Sequence, residues 1–169
     1  MYRFQVTPPR RIVVVGCGGT GSFVAGGLCR LLRDYREVPL VLCDPDRVEE
    51  RNLLRQNFLS SDLGRFKAQA LAERLAKEFS RPVGYTVGPF TSLAMPSFLG
   101  PGYVGYERTL LIGCVDNHLA RNSIAQAFSD RHGQDVSVWV DAGNGDQWGQ
   151  VLVGNAPDRE ALKGAFHPA

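Results

Sequence analysis

The segment Arg11-Ile-Val-Val-Val-Gly-Cys-Gly-Gly-Thr-Gly-Ser22 joins a short run of β-branched residues to a glycine-rich turn. The run, residues 11–15, is apolar on both faces, which is typical of a central parallel strand covered by helices on both sides. The turn fits the pattern G-x-G-x-x-G, and residues with helical periodicity follow it from Thr20 to about Arg33. This order predicts a site where a phosphate approaches the N-terminus of a helix.

Further strands and helices alternate along the chain after this first unit. The next apolar run completes a βαβ unit with the first strand and helix. Either Asp116 or Asn117 is positioned to cap the last helix. The later predicted elements are strands over Pro39–Cys43, Pro82–Val87, Arg108–Cys114, Val136–Asp141 and Gly149–Val153, and helices from Asp62 or Leu63 to Phe79 and over Asn117–Arg131.

The connections between these elements also carry expectations. Residues 47–63 are polar and mixed, which is typical of an active-site excursion, with a short helix near Leu53–Phe58. Residues 88–107 hold several glycines and prolines and form either an irregular connection or a short helix around Ser97. The turn-rich Ala142–Asp146 joins the last two strands as a β-hairpin or as a broad loop pair.

The alternation of elements predicts a Rossmann-like, doubly wound α/β fold. Its sheet is mainly parallel, with helices on both faces and a C-terminal antiparallel addition. Ligands of such sheets bind at the carboxyl ends of the strands, so the turns after residues 15, 43 and 114 should converge on one crevice. The chain stops at His167-Pro168-Ala169 without a finished helix or strand, so a fragment, a truncated chain and a disordered end all stay open.

Composition and charge argue against several classes of function. The formal net charge is +2 and no block of basic residues occurs, so we expect neither a nucleic-acid partner nor a membrane surface. No apolar run approaches the roughly 20 residues that span a bilayer, and the N-terminus does not resemble a signal peptide, so we expect a cytoplasmic protein. Its cysteines lack zinc-binding spacing and are expected to be buried thiols, namely Cys17, Cys29, Cys43 and Cys114.

The glycines of the turn have distinct expected roles. Gly16 permits the tight turn, Gly18 lets the backbone approach a phosphate, and Gly21 lets the helix pack on the strand. The alternative is a glycine turn that serves packing alone. Asp44, at the end of the second strand, lies where a carboxylate meets ribose hydroxyls, and its alternative is a solvated turn aspartate ahead of Pro45.

Five motifs in a fixed order decide between NAD and ATP. They are Gly16–Ser22, Asp44–Val48, Asn52–Gln56, Asp62–Lys67 and Asp116–Arg121. The series resembles the ThiF/MoeB/HesA family of adenylating enzymes, relatives of the ubiquitin-activating enzyme, whose pattern runs G-x-G-G-x-G-S, D-x-D-x-V, N-L-x-R-Q, D-x-G-x-x-K and D-N-x-x-x-R. The resemblance covers about residues 10–154. It implies that residues 1–169 form a single ATP-binding adenylation domain.

The resemblance implies ATP and Mg²⁺ as cofactors and assigns roles to the motif residues. Asn52, Arg55 and Lys67 would contact the triphosphate. Asp116 would lie beside the α-phosphate and hold Mg²⁺. The nucleotide-binding set implied is Gly16, Gly18, Gly19, Gly21, Asp44 on the ribose hydroxyls, Asp46, Asn52, Arg55, Gln56, Lys67, Asp116 and Asn117, with Gln56 and Asn117 in support and with Arg55, Lys67 and Asp116 as catalytic residues.

These residue types suit adenylation for physical reasons. A carboxylate that attacks the α-phosphate creates negative charge, which fixed cations and backbone amides stabilise where it develops. No general base is required, since the attacking carboxylate is already ionised. The alternatives are that Arg55 and Lys67 are solvated helix charges, that Asp116 is only a helix N-cap, and that Arg121 forms an ion pair and contacts no ligand.

The resemblance also implies partners. They are a small ubiquitin-like or sulfur-carrier protein with a C-terminal Gly-Gly and a second copy in a homodimer, with Arg3, Arg10 or Arg11 reaching the partner's ATP. No cysteine follows residue 114, so no position matches the family's thioester or persulfide cysteine, and Cys17 is not expected to replace it. A catalytically inert ThiF-like partner subunit is the second interpretation, and an NAD-dependent dehydrogenase is the third.

Overall fold

The computed structural model describes residues 9–91, 109–129, 138–145 and 147–154. Within them the chain forms a six-stranded sheet of β1 Arg11–Val15, β2 Leu40–Cys43, β3 Val83–Thr86, β4 Thr109–Gly113, β5 Val138–Asn144 and β6 Gly149–Gly154. The strand order is β3-β2-β1-β4-β5-β6. Every neighbouring pair is parallel except β5 and β6, which are antiparallel.

Helices cover both faces of the sheet. In the described residues they are α1 Gly19–Leu31, α2 Lys67–Phe79 and α3 His118–Ser129. Helices α1 and α2 share a core with Val14 and Leu42, whereas Ile124 of α3 packs with Val13 on the opposite face. A strand between two helical layers must be apolar on both sides, and β1 is buried at every position. The predicted doubly wound fold is confirmed.

The strand order reverses at β1. From β1 the chain proceeds to β2 and β3 on one side of the sheet and to β4 and β5 on the other. The connections that follow β1 and β4 therefore leave the sheet on opposite faces and open a crevice at the carboxyl ends of these strands.

The predicted start of the second helix at Asp62 or Leu63 is wrong, because α2 begins at Lys67. Asp62 instead ends a short 3-10 helix, Ser60–Asp62, and its carboxylate accepts hydrogen bonds from the Leu59 amide and from Arg74 at 3.0 and 2.7 Å. Gly64 follows with a φ of 76°, outside the right-handed helical region. The capped turn and the glycine together delay the helix.

The predicted short helix near Leu53–Phe58 is also wrong. A 3-10 helix over Glu50–Asn52 precedes that stretch, and a turn follows it. The Asn52 side-chain oxygen accepts the Glu49 amide at 2.8 Å, which stabilises the earlier turn. The periodicity of residues 53–58 gave no sign of this local cap.

The predicted β-hairpin at the end of the sheet is confirmed. Strand β5 extends to Asn144, which pairs with Gly149, so Ala142 and Gly143 belong to the strand and not to the turn. The expectations for Arg3 and for residues 92–108, 130–131 and 136–137 lie outside the described residues. No helix in the described ranges is both long and apolar enough to cross a membrane.

Candidate functional site

A crevice of ≈ 740 Å³ opens at the carboxyl ends of β1, β2, β4 and β5. The glycine turn forms its floor, and the turns after β2, β4 and β5 form its walls. Gly21 and Asn52 do not line it. The predicted site residues that do line it are Gly16, Gly18, Gly19, Asp44, Asp46, Arg55, Gln56, Lys67, Asp116 and Asn117.

Two glycines of the turn are required by packing. Gly16 has a φ of 90°, and a Cβ there would lie 2.6 Å from the carbonyl oxygen of Cys114. A Cβ at Gly21 would overlap the Gly16 carbonyl oxygen. Side chains at these positions would separate α1 from β1 and β4, so Gly21 acts through packing and not through the crevice.

The two central glycines face open space instead. A Cβ at Gly18 would meet nothing nearer than the Gln56 side chain at 3.7 Å, and one at Gly19 only the Arg55 carbonyl oxygen at 3.7 Å. The main chain is therefore accessible from the crevice where α1 begins. Unpaired amides at a helix start bind anions, and the helix dipole adds to that attraction.

Asp44 ties the turn after β2 to the glycine turn. Its carboxylate oxygens accept the Cys17 amide at 2.6 Å and the Asp46 amide at 2.8 Å. Burial raises the pKa of this carboxyl, against the lowering effect of the two amides and of the Lys67 ammonium. The alternative of a solvated turn aspartate is wrong, since Asp44 is only 5% exposed. A contact with ribose hydroxyls stays a prediction.

Lys67 places a nearly buried ammonium at the start of α2. Its Nζ lies 3.0 Å from Asp46 Oδ2, and its backbone amide donates to the Asp46 carbonyl at 2.8 Å. The lysine side chain is 9% exposed and the aspartate side chain 66%, so Lys67 is not a solvated helix charge. The ammonium lines the crevice together with the aspartate that partly neutralises it.

The Asn52–Gln56 segment contributes unequally. Asn52 is buried, and its carbonyl accepts the amides of Arg55 and Gln56 at 3.3 and 2.9 Å, so it shapes the turn without lining the crevice. The Arg55 guanidinium is exposed and, within the described ranges, makes no hydrogen bond or ion pair. Gln56 Oε1 is buried without a hydrogen-bond partner in the same ranges, next to Gly18.

In the turn after β4, one residue caps the following helix and its neighbour presents a carboxylate to the crevice. The Asn117 side-chain oxygen accepts the Ala120 amide at 2.9 Å, so Asn117 and not Asp116 caps α3. Asp116 is exposed in the crevice, and its Oδ1 accepts the Asn117 side-chain amide at 3.3 Å. Its carboxylate thus stays available to a ligand.

Several crevice residues escaped the sequence analysis. The Thr20 hydroxyl donates to Asn144 Oδ1 at 2.8 Å, a contact between residues 124 positions apart that no local pattern signals. Trp148 and Gln150 extend the same wall. Arg121 lines the crevice as well, and the expected ion pair is present, with Nε 3.0 Å from Asp141 Oδ2.

The cysteines near the crevice are not activated. Burial raises the pKa of Cys17 well above its usual value, that of Cys43 to about 12 and that of Cys114 to about 11. The thiolate is the nucleophilic form, so these thiols stay protonated and unreactive at neutral pH. This agrees with the expectation that Cys17 is not a nucleophile.

The crevice has hydrogen-bond donors and cations that suit a nucleoside triphosphate, and a carboxylate that suits Mg²⁺. Accessible main chain, the Lys67 ammonium and the Arg55 guanidinium suit phosphate oxygens. Among the described residues no group of three or more His, Cys, Asp or Glu could hold a metal ion. Mg²⁺ often takes one or two carboxylates and completes its shell with phosphate oxygens and water, so a single carboxylate such as Asp116 is compatible with a Mg²⁺ site.

Comparison with known sequences points to one family. A sequence profile of the ThiF family matches residues 9–167. The ubiquitin-like modifier-activating enzyme 5 of Arabidopsis thaliana is 30% identical over 145 residues, which cover 78% of this chain and 31% of that enzyme. Its Caenorhabditis briggsae counterpart is 29% identical over 143 residues, 79% of this chain and 31% of that enzyme. The chain thus spans about a third of the length of these relatives.

Solved structures share the fold. The E. coli tRNA N6-threonylcarbamoyladenosine dehydratase TcdA in complex with ATP superposes with a TM-score of 0.60 at 26% identity, over 82% of this chain and 53% of that one. E. coli MccB with ATP superposes with a TM-score of 0.56 at 22% identity, over 79% of this chain and 36% of that one. The likeness to MccB concerns the fold alone.

Proposed function

Because the chain belongs to the ThiF family, we propose that it adenylates the C-terminal carboxylate of a small ubiquitin-like or sulfur-carrier protein with ATP. One observation carries the proposal: an open glycine turn, a nearly buried Lys67 ammonium and the Asp116 carboxylate face a single crevice. The proposal includes ATP, which the reaction consumes, and Mg²⁺, which would accompany it as counter-ion.

The proposed reaction exchanges one phosphorus–oxygen bond for another. An oxygen of the substrate carboxylate attacks the α-phosphorus, the bond to the β-phosphate oxygen breaks, and pyrophosphate leaves with that electron pair. Lys67, Arg55 and the amides at the start of α1 stabilise the added negative charge. Bound Mg²⁺ would neutralise phosphate oxygens. The chain supplies binding and charge, and the reaction needs no thiol or general base.

The relatives support ATP more directly than they support the acceptor. TcdA is a structural neighbour above 25% identity and has been solved with ATP. The curated relatives are named as ubiquitin-like modifier-activating enzymes, which favours a ubiquitin-like protein with a C-terminal Gly-Gly. TcdA is named for a modified tRNA nucleoside, so the experiment must also test a carboxylate on a carrier other than a ubiquitin-like protein.

Two further parts of the proposal concern the whole protein. We propose a homodimer, as the resemblance of the motifs implies. We also propose a cytoplasmic location, which the four free cysteines support because unpaired thiols are usual in reducing compartments.

A catalytically inert partner subunit is the second candidate. The retained Arg55, Lys67 and Asp116 in the crevice favour an active enzyme. Calorimetric titration with ATP and Mg²⁺ separates the two, since an inert subunit that binds no nucleotide would give no heat of binding.

The decisive experiment is pyrophosphate exchange into ATP. We expect exchange only with Mg²⁺ and a Gly-Gly-ending ubiquitin-like protein, and we expect Asp116→Ala to abolish it. Asp34→Ala, at an exposed position in the turn that follows α1, is the matched control and keeps full activity. Full exchange in Asp116→Ala would overturn the role of Asp116, and exchange with a modified tRNA alone would overturn the protein acceptor.

A further inference from the structure

Arg121 joins the turn after β4 to the end of β5. Its Nε donates to Asp141 Oδ2 at 3.0 Å, and its Nη2 donates to the Val115 carbonyl oxygen at 2.6 Å. Asp141 lies on β5 and Val115 in the turn that leads into α3. The planar guanidinium therefore holds a strand and a turn in one geometry.

The Asp141 carboxylate is built into this contact. Its side chain is 6% exposed, and its other oxygen, Oδ1, has no hydrogen-bond partner within the described residues. A buried carboxylate needs a partner because desolvation disfavours its charge. Asp141 thus orients Arg121 from one side, and the Val115 carbonyl accepts a hydrogen bond from the other side of the guanidinium.

Gly143 leaves the space that the guanidinium occupies. It lies two residues beyond Asp141 on β5, on the same face of the strand. A Cβ there would lie 2.9 Å from Arg121 Nη2 and would meet no other residue within 4 Å. Nη2 is the atom that reaches the Val115 carbonyl, so this glycine bears on the contact to the turn.

The contact acts on the peptide that precedes Asp116. The Val115 carbonyl and the Asp116 amide belong to one planar unit, so a hydrogen bond to that carbonyl limits the rotation of the peptide. Asp116 itself is exposed, and its side chain accepts a hydrogen bond from its neighbour Asn117. The direction of its carboxylate therefore depends on the backbone beneath it.

We propose that Asp141, Arg121 and Gly143 form a clamp on the Val115–Asp116 peptide that aims the Asp116 carboxylate at nucleotide-bound Mg²⁺. Arg121 is then a positioning residue and not a ligand. The inference rests on the proposed function, since it assumes that Asp116 meets Mg²⁺. Supporting groups of this kind typically change metal affinity about 10- to 100-fold.

The test is the gain in ATP affinity that Mg²⁺ produces, measured by calorimetry with Mg²⁺ and with EDTA. In Gly143→Ala we expect the gain to fall by about tenfold, while metal-free affinity stays within about twofold. Gly154→Ala, on β6 with nothing within 4 Å of the added Cβ, is the matched control and keeps the full gain. Equal weakening with and without Mg²⁺, or no change, would overturn the clamp.

A second single variant and a double-mutant cycle distinguish loss of the clamp from a folding defect. Arg121→Lys replaces the rigid fork of donors with a single flexible ammonium that does not hold the two acceptors in one geometry, and it should show the same selective loss. Adding Gly143→Ala to Asp116→Asn should cost no further Mg²⁺ gain, because the two changes act through one carboxylate. Additive losses would overturn the inference. A wild-type chain that binds no ATP under either condition would instead overturn the proposed function.

Discussion

The two walls of the crevice are built differently. On the side of β1 and β2 every strand residue is buried, and Asp44 and Lys67 reach the crevice from nearly buried positions. On the side of β5 and β6 the wall is open, with Trp148 65% exposed and Gln150 also exposed. Buried charges with several partners have few alternative positions, whereas exposed side chains can adapt. Under the proposed function, the first wall would hold the constant phosphates and ribose of a nucleotide, and the second would meet a variable acceptor.

Gly21→Ala should abolish the difference between the two walls, because it disrupts the packing of the first wall. The added methyl overlaps the Gly16 carbonyl, so α1 must move away from the sheet. We expect a loss of about 3 kcal/mol or more in the free energy of unfolding, measured by urea denaturation. Gly27→Ala in the same helix, with nothing within 4 Å, should instead stabilise by about 0.5–1 kcal/mol. Equal stability of the two variants would contradict the close approach.

Lys67→Met should weaken the first wall without dismantling it. The substitution keeps the buried length of the side chain and removes its charge, so phosphate loses a charged partner. We expect ATP affinity to fall about 10- to 100-fold by calorimetry. Lys77→Met, on an exposed face of α2, is the control and should bind ATP normally. Unchanged affinity in Lys67→Met would remove Lys67 from the phosphate site.

Asp44→Asn should show how the buried carboxylate of the first wall makes stability depend on pH. The amide keeps one acceptor for the Cys17 and Asp46 amides, so we expect a loss of about 1–2 kcal/mol near neutral pH. Burial raises the folded-state pKa above the usual 3.8, so the folded protein binds a proton more readily than the unfolded chain. The stability that Asp44 contributes is therefore highest below that value and falls as pH rises through the folded pKa.

Urea denaturation at several pH values checks this sign. The difference in unfolding free energy between wild type and Asp44→Asn should shrink as pH rises from about 4 toward neutrality. Asp34→Asn, at an exposed position, should show no such trend. A difference that grows over the same window would mean that the two amides, and not burial, dominate the carboxyl.

Thr20→Val should produce the smallest effect, on the boundary between the walls. It removes the exposed hydrogen bond to Asn144 but keeps the shape of the side chain. We expect a change of about 0.5–1 kcal/mol in unfolding free energy. Ser123→Ala, which removes a hydrogen bond to the Leu119 carbonyl within α3, is the control. A loss above about 2 kcal/mol would show that the two walls are more tightly joined than one exposed contact implies.

The sequence predicted most of the elements because their signals are local. The apolar run 11–15 and the glycine turn establish the first unit, and the structure places that turn at the crevice as expected. The predicted start of α2 is wrong because the Asp62 side chain caps an earlier turn. Side-chain capping competes with the helix over a single turn, which periodicity averages away.

By itself the sequence determined the doubly wound fold, the family and the residue types that meet at the strand ends, because periodicity and motif order are properties of neighbours in the chain. Only the tertiary structure decided that Asn52 shapes a turn outside the crevice, that Asn117 caps α3, and that Arg121 joins β5 to the Asp116 turn. Those roles depend on burial and on contacts between distant segments. They arise when the sheet brings its carboxyl ends together, which no local pattern encodes.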